Sequence, residues 1–191
     1  YDTVSLSTEA IPLAIGYVAA YCKKIYGSQV EITLFKYLEE MEQALIDSPP
    51  DIIGFSNYTW NQNIGIEMFK LAREQNPNIL TVWGGPNYPI DFPSQQKFMN
   101  EFSVVDIYVP LEGEIGFSNI IKFALTVNQK NNIRNYVIEQ SIDGCVVRDK
   151  NNILQLDGPG FRTKALDDIP SPYLTGLFDK FFDGRLSPLM Q

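Results

Sequence analysis

The sequence predicts an α/β domain in which helices cover both faces of a mainly parallel β-sheet. Short apolar runs at residues 52–55, 79–83 and 105–109 are typical of strands that are buried on both faces. An amphipathic helical pattern follows each of these runs, so that strands and helices alternate along the chain. Such alternation builds right-handed βαβ units, and these units make a parallel, doubly wound sheet.

The N-terminal part of the chain contributes further elements. Residues 11–24 form a predicted helix with Pro12 in its first turn, where the missing N–H costs little. Residues 30–37 alternate as a strand, and residues 38–47 form an acidic surface helix that two prolines terminate. A strand must precede the first helix in a doubly wound domain, and residues 3–7 are a candidate for it.

Polar residues mark the beginnings of the later helices. Asn61 or Asn63 can cap a helix that runs to about residue 75. Asp91 leads into a helix that ends at about residue 101, and a last helix spans residues 112–128.

The pattern changes after about residue 130. Residues 141–148 and 153–156 are predicted to form a β-hairpin, and a proline-rich, mostly extended tail follows, with a short helix near residues 175–182. We therefore expect a domain of residues 1–130 and a second segment of residues 131–191, which consists of the hairpin and a linker.

The overall charge and hydropathy exclude several functional classes. The 191 residues include 15 basic and 23 acidic side chains, so the net charge is −8, which argues against a nucleic-acid-binding protein. No apolar run approaches the ~18 residues that a membrane span requires, and the N-terminus has no signal-peptide pattern. A soluble, cytoplasmic protein is the expectation.

The chain contains no histidine, which excludes histidine-based catalytic triads, zinc sites and imidazole ligands to a cofactor metal. The two cysteines, Cys22 and Cys145, lie far apart and match no metal or redox motif, so both are interpreted as small core residues. We therefore predict no metal site and no catalytic residue in this chain.

A polar and aromatic cluster follows the apolar run at residues 52–55. It consists of Ser56, Asn57, Tyr58, Thr59 and Trp60. In open α/β sheets, ligands bind outside the carboxyl ends of the strands, so these side chains are candidates for gripping and stacking on a ligand. A helix-capping turn whose aromatics cover the sheet edge explains the cluster equally well.

A glycine pair follows the next strand, in the stretch Gly84, Gly85, Pro86, Asn87 and Tyr88. Two glycines allow the backbone to approach a bulky planar group or to adopt a positive φ. A tight strand-to-helix turn is the simpler alternative. Two such loops at the carboxyl edge of neighbouring strands together favour a ligand site.

The third loop contains Leu111, Glu112, Gly113 and Glu114. Carboxylates in the first turn of a helix are stabilised by the helix dipole, and this structural interpretation is the preferred one. An acid/base pair of glutamates is the alternative, but nothing nearby suggests a substrate for it.

Five separated stretches resemble, in order and spacing, the N-terminal domain of cobalamin-binding radical SAM proteins. Four of them match the domain itself: residues 12–21 (Pro-Leu-Ala-Ile-Gly-Tyr-Val-Ala-Ala-Tyr), 51–56 (Asp-Ile-Ile-Gly-Phe-Ser), 83–86 (Trp-Gly-Gly-Pro) and 112–114 (Glu-Gly-Glu). The fifth, residues 169–173 (Ile-Pro-Ser-Pro-Tyr), is similar to the linker into the catalytic barrel of such proteins.

The resemblance implies a flavodoxin-like, B12-binding-type Rossmann domain joined to a radical SAM barrel. That barrel would hold a [4Fe–4S] cluster on a Cys-x3-Cys-x2-Cys loop and cleave S-adenosylmethionine. The sequence ends about where this loop is expected, so we interpret the chain as an N-terminal fragment that is not catalytic alone. The implied partners are cobalamin and the protein's own radical SAM domain.

The family's cofactor contacts can be carried over to matching positions. Ser56 and Tyr58–Thr59 match the loop that contacts the nucleotide tail of cobalamin, and Gly84–Gly85 match the glycine pair over which the tail passes. Leu111 replaces the first glycine of the family's common Gly-Glu-Gly-Glu. The predicted cofactor-binding residues are Ser56, Asn57, Tyr58, Thr59, Gly84, Gly85, Pro86, Asn87, Glu112 and Gly113.

The leading hypothesis is a cobalamin-binding domain that uses no histidine ligand. The first alternative is a non-binding interaction module that orients substrate or partner for the barrel, with its crevice filled by Tyr58, Trp60 or Tyr88. The second alternative is an independent, flavodoxin-like nucleotide binder.

Overall fold

A computed structural model describes residues 11–129, 132–156 and 166–182 of the chain. The α-helices within these residues are α1 (Leu13–Tyr26), α2 (Leu38–Asp47), α3 (Gln62–Gln75), α4 (Phe92–Glu101), α5 (Gly113–Leu125) and α6 (Ile133–Val137). The strands are β1 (Ile52–Ser56), β2 (Leu80–Gly84), β3 (Ile107–Val109), β4 (Val146–Arg148) and β5 (Leu154–Leu156). None of the described helices is long and apolar enough to cross a membrane.

The five strands lie side by side in the order β1-β2-β3-β4-β5. β1, β2 and β3 are parallel, and at their carboxyl ends Ser56 pairs with Gly84, which pairs with Val109. β4 runs antiparallel to β3, and β5 runs antiparallel to β4. The predictions of a parallel α/β sheet and of a hairpin after it are therefore confirmed.

Alternation along the strands sends side chains into two separate cores, one on each face of the sheet. On β2, Trp83 packs with Phe69 of α3 and Met99 of α4. Its neighbour Val82 faces the other way and packs with Ile120 of α5. Both cores are closed to solvent, which explains why these strands read as continuous apolar runs.

The predicted strand at residues 30–37 is wrong, because these residues form no β-ladder in the described part of the chain. The alternation is real, since Leu34 is buried and Thr33 is exposed. However, the buried side packs against α1 and against Phe178 and Phe181, almost 150 residues further along the chain. The proposed strand at residues 3–7 lies outside the described residues.

The C-terminal segment at residues 166–182 packs onto α1. Phe178 lies so close to Gly16 that a Cβ there would be 2.1 Å from its ring. The predicted short helix near residues 175–182 is only a 3-10 turn at Asp179–Phe181, and helix α6 was not predicted.

Candidate functional site

The loops after β1 and β2 are joined to each other at the carboxyl edge of the sheet. The backbone N–H of Asn57 donates to the carbonyl oxygen of Gly84 at 2.5 Å, which extends the ladder by one bond. The N–H of Asn87 donates in turn to the carbonyl oxygen of Asn57 at 3.3 Å. The two loops predicted from the sequence to frame a site therefore lie side by side.

The side chain of Asn57 holds these loops together. Asn57 is fully buried, and its Nδ2 donates to the carbonyl oxygen of Asn87 at 3.1 Å and to the hydroxyl of Tyr108 at 3.4 Å. Asn87 Nδ2 donates to Asn57 Oδ1 at 3.4 Å and to Gln62 Oε1 at 2.7 Å. Because its amide is engaged internally, Asn57 positions the loops.

The two glycines of the second loop have different environments. Gly85 has a φ of 119°, and a Cβ on it would lie 2.9 Å from the carbonyl oxygen of Asn57, so the loop itself requires glycine. Its carbonyl oxygen accepts from Tyr108 Oη at 2.9 Å. By contrast, a Cβ on Gly84 would first meet Val109 O at 3.4 Å, which is ordinary contact. The fold does not require glycine at position 84.

Asn61 shapes the first loop, although the sequence suggested only that it caps α3. It stands at the N-cap position without a capping bond. Instead, its Oδ1 accepts from the N–H of Tyr58 at 2.8 Å, and its Nδ2 donates to the carbonyl oxygen of Ser56 at 3.0 Å. Asn61 and Tyr108 are thus site-forming residues that the sequence analysis missed. A polar residue five positions after a buried strand was the only signal for Asn61.

The aromatic side chains at this edge form two stacked pairs. Tyr58 and Trp60 stack with ring centroids 4.6 Å apart, and Trp60 remains 53% exposed. Tyr88 stacks on Tyr108 at 4.0 Å, and burial raises the pKa of both hydroxyls. The Tyr88–Tyr108 pair therefore packs on the protein side of the second loop, whereas the Tyr58–Trp60 pair lies at the surface.

The third loop joins β3 to α5 at the same edge of the sheet. Leu111 has a φ of 63°, and Glu112 occupies the N-cap position of α5. Gly113 packs closely on α1, since a Cβ there would lie 3.0 Å from Val18 Cγ2. The helices α3, α4 and α5 all begin at this edge because each follows a parallel strand.

A family model described as "B12 binding domain" matches residues 2–121. The chain belongs to the B12-binding domain family. The family that the sequence motifs predicted is therefore confirmed.

Two curated relatives are similar over most of the chain. The cobalamin-dependent radical SAM methyltransferase TokK of Streptomyces tokunonensis is 29% identical over 176 residues, which are 88% of this chain and 24% of TokK. The 2-(S-pantetheinyl)-carbapenam-3-carboxylate methyltransferase of Streptantibioticus cattleyicolor is 27% identical over 175 residues, with the same shares. The chain thus spans about a quarter of the length of these relatives.

Solved structures of the cobalamin-dependent S-adenosylmethionine radical enzyme OxsB share the fold. The form with aqua-cobalamin and S-adenosylmethionine bound gives a TM-score of 0.61 at 18% identity, covering 90% of this chain and 23% of OxsB. The apo form gives 0.60 at 18% identity over 86% of this chain and 22% of OxsB. This agreement confirms the Rossmann-type architecture.

The residues of the loops after β1 and β2 fit a cobalamin nucleotide tail, which presents a flat base, sugar hydroxyls and a phosphate. Gly84 offers a bare backbone surface that the fold does not need for its own packing. Ser56, which pairs with Gly84, and the exposed Thr59 of the same loop carry hydroxyls, and the N-terminus of α3 brings N–H groups to this edge. The donor set therefore matches a neutral and anionic ligand rather than a metal ion.

Proposed function

We propose that this chain binds cobalamin at the carboxyl edge of the sheet, over the loops that follow β1 and β2. The observation that carries the proposal is the contrast between Gly85, which the loop requires, and Gly84, which it does not. Neither packing nor backbone conformation requires glycine at position 84, which lies beside a loop that hydrogen bonds hold in place. In a B12-binding domain, such a glycine indicates that a ligand lies against the backbone.

The predicted site residues would bind or position the cofactor in three groups. Gly84, Gly85 and Pro86 would form the surface under the nucleotide tail, with Asn57 and Asn87 holding the two loops in register. Ser56, Tyr58 and Thr59 would bind the tail's polar groups and its flat base. Glu112 and Gly113 would border the cofactor at the start of α5.

The chain itself would bind, orient and shield the cofactor. Bound cobalamin supplies cobalt-centred methyl-transfer chemistry, which the protein directs by position. Because the sequence contains no histidine, this chain would hold cobalamin without an imidazole ligand of its own. The exposed ring of Trp60, stacked on Tyr58, offers an apolar plane in the loop after β1.

The whole protein would be a radical SAM enzyme in which this domain serves the catalytic part. The names of the two relatives support this, as does the chain's share of 24% of their length. Residues 1–130 would hold cobalamin, and residues 131–191 would lead towards the domain with the [4Fe–4S] cluster and S-adenosylmethionine. The free thiols of Cys22 and Cys145 favour the reducing cytoplasm.

Titration of the purified chain with hydroxocobalamin tests the proposal. We expect a saturable change in the visible spectrum, and co-elution of protein and cofactor in gel filtration. FMN, titrated in parallel, serves as the control ligand for a flavodoxin-like nucleotide binder, and we expect no binding. A folded chain that binds neither would refute the proposal and favour the interaction module. Binding of FMN alone would favour the nucleotide binder.

A further inference from the structure

Leu111 adopts a backbone conformation that leucine rarely takes. Its φ is 63°, in the left-handed region, where the Cβ of a non-glycine residue crowds the following carbonyl oxygen. Its side chain is 66% exposed, so packing does not compensate for this conformation. Glycine at this position would be free of the strain, so the leucine requires another explanation.

Asn152 is the second non-glycine residue with a positive φ among those described, and it provides a direct comparison. It lies in the turn between β4 and β5 with a φ of 60°. Asparagine tolerates this region, and the turn is locally bonded, since Asp149 Oδ1 accepts from the N–H groups of Asn151 and Ile153, each at 2.8 Å. Turn chemistry explains Asn152, whereas it does not explain Leu111.

The position of Leu111 connects it with Gly84. It comes two residues after Val109, whose carbonyl oxygen is the nearest atom to a Cβ built on Gly84. The two neighbouring loops at this edge also expose a large apolar side chain each, Trp60 at 53% and Ile90 at 97%. Each of the three loops at the carboxyl edge, where ligands of open α/β sheets bind, therefore carries an exposed apolar side chain.

We propose that the side chain of Leu111 contacts bound cobalamin, and that its strained backbone holds this contact in place before the cofactor arrives. The inference rests on the proposed function and adds a contact that the glycine pattern of the family does not provide. The ligand surface would be the alkyl-substituted edge of the cofactor's ring system. Backbone strain of this kind clusters at ligand-binding sites. There, the stability that the strain costs the free protein is offset because a contact that is already in place binds the ligand more tightly.

This proposal predicts opposite effects on stability and affinity from one substitution. Leu111→Gly relieves the backbone strain, so the unfolding midpoint should rise by about 2 °C. The same substitution removes the apolar contact, so the Kd for hydroxocobalamin should increase about ten-fold. A merely structural residue would not change stability and affinity in these opposite directions.

Two further variants separate the side chain from the backbone. Leu111→Ala keeps the strain and removes most of the side chain, so its midpoint should not rise, while its Kd should increase about ten-fold. Asn152→Gly changes a left-handed position far along the chain from the loops of the proposed site, so its Kd should equal that of the unchanged protein. The measurements are thermal unfolding and spectral titration with hydroxocobalamin, both on the 191-residue chain.

Each outcome has a defined meaning. If the unchanged chain binds and both Leu111 variants bind equally well, the contact is refuted while the proposed function stands. If Leu111→Gly lowers the unfolding midpoint, the claim of strain is wrong and the inference falls. If the unchanged chain does not bind hydroxocobalamin, the proposed function fails, and the inference fails with it.

Discussion

The two edges of the parallel sheet are built from opposite kinds of interaction. At the carboxyl edge, neutral amides and backbone groups join the loops, and glycine leaves backbone surface bare. At the amino edge, charged side chains meet around a single buried carboxylate. In our proposal, the amino edge closes the fold and the carboxyl edge receives the ligand.

Asp106 is the centre of the amino edge, with a side chain only 3% exposed. Its Oδ2 accepts from Arg73 Nη2 at 2.6 Å and from the N–H of Thr81 at 3.1 Å. Arg134 binds it through Nε and Nη2, with Nη2 3.0 Å from Oδ1. Burial lowers the pKa of the nearby Arg148, and Asp106 opposes that shift. One carboxylate thus connects α3, β2, β3 and α6.

The largest effect should come from removing that carboxylate. Asp106→Asn removes the negative charge that pairs with the guanidinium groups of Arg73 and Arg134, so we expect a loss of about 3–5 kcal/mol in the free energy of unfolding. Urea denaturation measures it. Glu139→Gln, which removes the exposed ion pair with Lys150, is the control and should leave the urea midpoint unchanged. Equal effects of the two substitutions would mean that the amino edge does not stabilise the fold.

A smaller effect is expected at the glycine pair. Gly85→Ala forces a Cβ to 2.9 Å from Asn57 O at a φ of 119°, so it should cost about 2–3 kcal/mol of stability. Gly84→Ala finds room at 3.4 Å and should leave the unfolding midpoint nearly unchanged. Its Kd for hydroxocobalamin should nevertheless increase, because the methyl group occupies the proposed ligand surface. Unchanged binding by Gly84→Ala would place the cofactor elsewhere.

Removal of the Asn57 side-chain amide, which holds the two loops together, should have the next largest effect on stability. Asn57→Ala leaves the carbonyl oxygen of Asn87 without its side-chain donor, so we expect a loss of about 1–2 kcal/mol in unfolding free energy. Cofactor binding should weaken as the two loops separate. Asn100→Ala, an exposed change near the end of α4, is the matched control for both measurements. An Asn57 variant with normal stability and affinity would show that this amide does not position the loops.

The smallest effect concerns alkaline pH. Burial raises the pKa of the Cys22 thiol from its ordinary 9.0 to about 12. The unfolded chain therefore loses this proton first, and the stability that the neutral thiol provides is present below pH 9 and declines as the pH rises towards 12. We expect a loss of about 1 kcal/mol by pH 10 from this group. Urea denaturation from pH 8 to 10.5 should show a smaller decline for Cys22→Ala, and an identical decline would contradict the assignment.

The sequence predicted the features that depend on local pattern. Apolar runs identified β1, β2 and β3, and the turn at residues 149–152 identified the hairpin. The loops after β1 and β2 were predicted to be neighbours because parallel strands end at one edge.

Features that depend on distant residues could not be predicted. Leu34 alternates as in a strand, but its actual neighbours are Phe178 and Phe181. The sequence places Asn57 among the predicted cofactor contacts, and only the fold shows that its amide also bonds to Asn87 and Tyr108.

Hydrogen–deuterium exchange of the chain, with and without hydroxocobalamin, tests the central claim most directly. The account predicts slower exchange at residues 56–60, 84–88 and 111–113 when the cofactor is bound, and unchanged exchange at residues 104–107 of the amino edge. Slower exchange confined to the amino edge, or no change at the three loops while the spectrum shows bound cofactor, would contradict it.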